Sequence, residues 1–172
     1  MTLPLAITAP LNFIPIAAME SVVRRVFAHV IESHPGLFDR LADHVDKRYA
    51  FLPRDLPIGF LVEPAIPRIS VHRKEHAPPS DACMEGELVL LLALLEGRID
   101  GDAVFFSRDL TVSGDMEAML ALRNALDDCE IDLPSDLAGM SGPFAPLVRR
   151  AGKQIRERML GGVLKEEVPQ WN

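Results

Sequence analysis

Residues 101–122 have the sequence Gly-Asp-Ala-Val-Phe-Phe-Ser-Arg-Asp-Leu-Thr-Val-Ser-Gly-Asp-Met-Glu-Ala-Met-Leu-Ala-Leu. They predict two strands, over 103–106 and 109–113, joined by a two-residue turn. Leu110 and Val112 alternate with polar neighbours, which is the period of two residues typical of a half-buried strand. This stretch therefore predicts an antiparallel hairpin.

A helix is predicted directly after this hairpin. Gly114 ends the second strand, and Asp115 is suited to the helix N-cap because a short carboxylate accepts from the free N–H groups of the first turn. Apolar residues then recur at helical spacing: Met116, Met119, Leu120 and Leu126. The local order is strand, turn, strand, helix.

The sequence motif Phe-Phe-x-Arg-x-Leu-x-x-x-Gly-Asp, from Phe105 to Asp115, resembles the end of a sterol carrier protein type two (SCP-2) domain. It is most similar to the UbiT-type branch of that family. The resemblance is strongest over 81–130 and extends back to about residue 12. It implies an α+β domain in which an antiparallel sheet of about five strands is covered by helices around an apolar lipid tunnel. Members of this branch are accessory factors of oxygen-independent ubiquinone biosynthesis.

The resemblance also implies what the protein does. It implies a non-catalytic carrier without a cofactor that presents an isoprenoid, a quinone intermediate or another lipid to partners similar to the UbiU and UbiV iron–sulfur hydroxylases. Candidates for the tunnel lining are the apolar residues of the predicted sheet and helices: Phe60, Val62, Leu88, Leu91, Leu92, Leu95, Phe105, Phe106, Leu110, Val112, Met116, Met119 and Leu120.

Composition narrows the class of protein. The chain has 172 residues, of which 48% are hydrophobic and 25% charged, and this is enough for one ordinary core. A net charge of −7 disfavours nucleic-acid binding, which depends on Lys and Arg. Cys83 and Cys129 form no C-x-x-C motif, so reduced thiols are expected. Residues 1–19 contain prolines and no basic residue, unlike a signal peptide, so a cytoplasmic protein is expected.

Four segments are predicted along the chain: a proline-broken apolar leader over 1–15, the SCP-2-like domain over 16–130, a loop over 131–142, and a basic amphipathic helix with a tail over 143–172. Within the domain an amphipathic helix is expected up to Ile31, a shorter helix over 37–45, and then an antiparallel meander. The meander strands contain the pairs Tyr49 with Phe51, Phe60 with Val62, and Ile69 with Val71.

Residues 88–95 are apolar on every side and are predicted to form a buried helix. Such a helix needs a cover on both sides. The sheet covers one side. The second side is covered either by bound lipid or by the first helix. If the core is filled, the chain is a non-catalytic interaction module, an alternative that the sequence leaves open.

The segment from His72 to His76, His-Arg-Lys-Glu-His, matches the H-x-x-E-H motif of some zinc peptidases. It suggests a small zinc hydrolase as an alternative of another class. Two histidines four residues apart share a metal only on a helix, whereas Ile69 to His72 has the pattern of a strand. A strand end followed by a charged turn is therefore the favoured interpretation.

The last predicted helix concentrates positive charge. Its five basic residues, against Glu157 alone, are Arg149, Arg150, Lys153, Arg156 and Arg158. Such a helix is typical of peripheral contact with an anionic membrane surface, here the inner membrane. Docking on the acidic body of the domain, or on a partner, is the alternative.

We expect the full-length protein to sediment with anionic vesicles, and less so as salt is raised, because the Debye length falls from about 10 Å at 0.1 M to about 3 Å at 1 M. Reversing the charge of Arg149, Arg150 and Lys153 should abolish the sedimentation. If the variant sediments like the wild type, the helix has a structural role instead.

Overall fold

The computed structural model describes residues 15–95, 109–129 and 131. In chain order the elements are α1 (Ile16–Ser33), a 3-10 helix (Asp39–His44), β1 (Tyr49–Pro53), β2 (Ile58–Glu63), β3 (Arg68–Arg73), a 3-10 turn (Lys74–His76), β4 (Ala82–Gly86), α2 (Leu88–Leu95), β5 (Thr111–Gly114) and α3 (Met116–Asp127).

Most of the predicted local elements are confirmed. The first helix, the apolar helix over 88–95 and the helix after Asp115 are all present, and the helix predicted over 37–45 is a short 3-10 helix. The second strand of the hairpin is present as β5, whereas its partner over 103–106 lies outside the described residues. The leader, the loop over 131–142 and the basic helix stay predictions, because nearly all their residues also lie outside.

The sheet has the strand order β3-β2-β1-β4-β5 and is mixed. The α+β architecture with five strands is confirmed, but the prediction that the sheet is antiparallel throughout is wrong, since β4 pairs with β1 in parallel, with Tyr49 opposite Ala82. The chain returns from the end of β3 through residues 74–81 before it enters β4. Alternation of apolar residues reports which face a side chain occupies and not the direction of the strand, so the parallel pair could not be predicted from it.

One face of the sheet carries the core. Residues opposite each other in neighbouring strands project from the same face, and one such row crosses all five strands: Val71, Phe60, Phe51, Met84 and Val112. A second row contains Tyr49, whose side chain is fully buried, and Val62. The described helices pack on this face.

The helices divide the core into two clusters. The larger cluster joins the inner half of the sheet to α2, α3 and the end of α1, and includes Tyr49, Leu91 and Met119. The smaller cluster contains Met19 of α1 with Ile58 and Val71. Helix α1 lies along β3, and α3 contacts α2, β4 and β5. The first helix therefore covers the β3 edge of the sheet, while α2 and α3 cover the other half.

The junction of β4, β5 and α3 is closely packed around Asp81. The backbone N–H of Asp115 donates to the Asp81 carbonyl at 2.8 Å. Gly114, the last residue of β5, has φ +82°, a conformation that favours glycine. A Cβ at Gly114 would overlap the carbonyl oxygen of Asp81. Only glycine fits here without a shift of the backbone.

We expect Gly114→Ala to lower the free energy of unfolding by at least about 3 kcal/mol, because the left-handed conformation and the overlap with Asp81 both oppose a methyl group. The matched control is Gly36→Ala. Gly36 has φ +92°, but a Cβ there would lie 3.7 Å from its nearest neighbour, an oxygen of Asp39. The control should cost about 1–2 kcal/mol in urea denaturation. Equal losses for the two variants would contradict the close packing at Asp81.

Candidate functional site

The predicted lining residues occupy three environments. Four are buried in the larger cluster: Val62, Leu91, Leu110 and Met119. Four are partly buried at the edge of a cluster: Phe60, Leu88, Leu95 and Val112. Three are exposed: Leu92, Met116 and Leu120. Phe105 and Phe106 lie outside the described residues. Six of the thirteen candidates thus belong to the larger cluster as buried or partly buried residues, and the contact of the whole set with lipid stays a prediction.

The exposed trio, Leu92, Met116 and Leu120, lies on two helices that contact each other. The three side chains are 39%, 55% and 46% exposed, respectively. Met116 and Leu120 are four residues apart and share one face of α3. Helix α2 consists of apolar residues alone, so burying four of its side chains still leaves Leu92 turned outward. The protein leaves apolar side chains in solvent on both helices that cover this half of the sheet.

A pocket of about 330 Å³ lies on the opposite half of the sheet, between α1 and the β2–β3 turn. Helix α1 contributes Arg24, Phe27 and Ala28, which share one helix face, and the turn contributes Ile66, Pro67, Arg68 and Ile69. Phe27 and Ile69 also pack against the larger core cluster. The volume falls at the lower end of the range of small-molecule sites, about 300–1,000 Å³.

Asp55 fixes the start of α2 from a distance along the chain. Its Oδ1 accepts from the backbone N–H of Leu88 at 2.9 Å, across 33 residues. The carboxylate satisfies one of the free N–H groups at this helix end and complements its dipole. Sequence analysis missed Asp55, because the cap comes from another part of the chain and no local signal marks it.

Asp115 fixes the start of α3, as predicted. Its Oδ1 accepts from the N–H of Ala118 at 3.0 Å, and its Oδ2 lies 2.9 Å from Nζ of Lys47. The N–H of Ala118 and the ammonium of Lys47 hold the pKa of Asp115 below its ordinary value. The hydrogen bond and the charge of Asp115 raise the pKa of Lys47. The stabilisation exists above the ordinary pKa of an aspartate and is lost as the pH falls through the lowered pKa.

Tyr49 anchors β1 beneath the same corner. Its hydroxyl donates to the carbonyl of His44 at 3.0 Å, and burial raises its pKa to about 12, with smaller contributions from Asp115 and Asp81. The phenol therefore stays neutral and acts as a hydrogen-bond donor at physiological pH. It has a structural role, joining the 3-10 helix to the sheet.

The sequence profile of the SCP-2 sterol transfer family matches residues 27–127. The chain belongs to this family. The match begins within α1 and includes all five strands and α3. None of the curated proteins is detectably similar to this sequence.

Three solved structures are similar to this chain. A UbiJ-SCP2 ubiquinone synthesis protein superposes with a TM-score of 0.55 at 16% identity, over 69% of this chain and 98% of that chain. The apo sterol carrier protein 2 of Yarrowia lipolytica gives 0.47 at 12% identity, over 66% and 94%. The Aedes aegypti protein in complex with palmitate gives 0.45 at 13%, over 59% and 96%. The first of these shows that the fold is that of an SCP-2 domain.

The histidines of the zinc-like motif do not share a helix in this SCP-2 domain. His72 lies in β3, where its Nε2 is 2.8 Å from Oγ of Ser70, and His76 lies in the 3-10 turn. Within the described ranges, His72 contacts no carboxylate that would orient it as a Ser-His-Asp triad requires. No group of three His, Cys, Asp or Glu side chains suited to a metal occurs there either.

Among these same residues, no helix combines the length and hydropathy of a membrane span.

Proposed function

We propose that this SCP-2 domain is a non-catalytic lipid carrier, and that the apolar tail of its ligand contacts the exposed trio on α2 and α3. The observation that carries the proposal is the exposure of Leu92, Met116 and Leu120 on two contacting helices in a family of lipid carriers. Soluble proteins seldom place several large apolar side chains in solvent on neighbouring elements unless a ligand or a surface covers them.

The energetics of such contacts suit a carrier. Each methylene removed from water contributes about 0.8 kcal/mol, so a few isoprene or alkyl units give several kcal/mol without a catalytic group. The carrier must also release its cargo. Side chains that are only part exposed bury a limited further area, which favours exchange with a membrane over permanent retention.

Two observations support a more specific role in ubiquinone biosynthesis. The Phe-Phe-x-Arg-x-Leu-x-x-x-Gly-Asp stretch ending at Asp115 resembles the UbiT-type branch, and a ubiquinone synthesis protein shares the fold. We infer an isoprenoid or quinone-type cargo, presented at the inner membrane to hydroxylating partners similar to UbiU and UbiV. The predicted basic segment over 143–172 is the part of the chain proposed to contact the membrane.

The proposal is tested with a neutral pyrene-labelled long-chain alcohol, whose fluorescence reports equilibrium binding to the full-length protein. We expect Met116→Gln/Leu120→Gln to weaken binding at least about fivefold, since two apolar contacts with the tail are lost. The melting temperature should change little, because both side chains are about half exposed. An excess of a short-chain ubiquinone should displace the probe.

The matched control is Val22→Gln. Val22 is 65% exposed and lies on α1, which is not one of the two helices that carry the trio. This control should bind the probe like the wild type. Equal binding by the wild type, the double variant and the control would contradict the assignment of the trio, and no binding by the wild type would contradict the carrier function.

A further inference from the structure

The pocket between α1 and the β2–β3 turn combines apolar walls with two guanidinium groups. Phe27, Ile66 and Ile69 supply apolar surface, and Ile66 is 56% exposed although it is a large apolar residue. Arg24 and Arg68 line the same pocket from its two sides, one on the helix and the other at the start of β3. The pocket therefore offers a ligand both apolar surface and N–H donors.

Arg24 has hydrogen-bonding capacity to spare. Among the residues that the structure describes, its charged partner is Glu20, whose Oε1 lies 3.7 Å from Nη1, beyond hydrogen-bond distance. The Arg24 side chain is 55% exposed. A guanidinium carries five N–H donors, so this one can donate to a ligand without losing a hydrogen bond within the protein.

Arg68 is held in place by Glu63. Its Nε donates to Oε2 of Glu63 at 2.8 Å, and Nη2 contacts the same oxygen. The two residues are opposite each other in β2 and β3, so the pair closes the turn and orients the guanidinium. Nη1 takes no part in these two contacts and is available to a second acceptor. The guanidinium of Arg68 is therefore held in a fixed orientation, whereas the exposed side chain of Arg24 can change its orientation to meet a ligand.

We propose that this pocket binds an amphiphile with an anionic head, a carboxylate or a phosphate, whose head lies between Arg24 and Arg68 and whose first tail carbons pack on Phe27 and Ile69. A planar guanidinium donates several N–H groups, which suits the paired oxygens of a carboxylate or a phosphate. The tail assignment rests on the proposed carrier function, whereas the assignment of the head rests on the two arginines alone. The pocket lies at the β3 side of the sheet and the exposed trio on the helices over the β4–β5 half, so it is a second lipid contact.

The test compares decyl phosphate, decanol and inorganic phosphate on the full-length protein by calorimetry at low salt. Decyl phosphate should bind about tenfold more tightly than decanol, and inorganic phosphate more weakly than decyl phosphate. Arg24→Gln and Arg68→Gln should each weaken decyl phosphate about fivefold to tenfold and leave decanol unchanged. Arg25→Gln is the control, since Arg25 is exposed on the same helix outside the pocket.

A second pair of variants tests the apolar part. Ala28→Trp fills the pocket from an exposed position and should reduce binding of decyl phosphate, whereas Ala18→Trp, at an exposed position of α1 outside the pocket, should not. Equal affinities for decyl phosphate and decanol, unchanged by the arginine variants, would overturn the proposal and leave the carrier function standing. Equal affinities for inorganic and decyl phosphate would overturn the amphiphile in favour of a free anion. If pyrene alcohol does not bind but arginine-dependent decyl phosphate binding persists, only the carrier function fails.

Discussion

The fold depends on one close contact, the packing of Gly114 against the backbone of Asp81. Two backbone N–H groups join Asp81 to Arg48: the Asp81 N–H donates to the Arg48 carbonyl at 2.9 Å, and the Arg48 N–H donates to the Asp81 carboxylate at 2.8 Å. The Arg48 guanidinium also lies 3.5 Å from that carboxylate. The Asp81 carbonyl accepts from Asp115. The starts of β1, β4 and α3 therefore meet at one residue. This corner sets β4 parallel to β1 and directs α3 back over the sheet.

Both helices of the proposed lipid site are oriented by carboxylates at their first turns. Asp115 caps α3 from the preceding residue, and Asp55 caps α2 from the β1–β2 turn. Arg54, beside it, donates from Nη2 to Oγ1 of Thr111 in β5 at 2.6 Å. These polar contacts hold the helices at their ends. Along α2, Leu91 and Ala93 are buried, whereas Leu92 between them is exposed to solvent.

The elements of this fold that depend on local signals could be predicted from the sequence. The alternation at Leu110 and Val112, the cap at Asp115 and the all-apolar run from Leu88 predicted a strand and two helices that the structure confirms. The resemblance to the SCP-2 family supplied the number of strands. Each of these signals lies within a few residues of the element that it predicts.

Features that depend on distant partners could not be predicted. The parallel direction of β4, the cap that Asp55 provides and the pocket formed by α1 with the β2–β3 turn each join segments far apart in the chain. For the candidate site, the sequence indicates apolar residues, but which of them are buried and which are exposed depends on the angle between α2 and α3. Periodicity within one helix carries no information about that angle.

Mass spectrometry of the organic extract of the purified full-length protein tests most directly whether this SCP-2 domain carries a lipid. We expect an isoprenoid or quinone-type lipid in an amount comparable to that of the protein, and a much smaller amount from a variant of the exposed trio prepared in parallel. An extract free of lipid, from a protein that also fails to take up added short-chain ubiquinone, would contradict the lipid-carrier function.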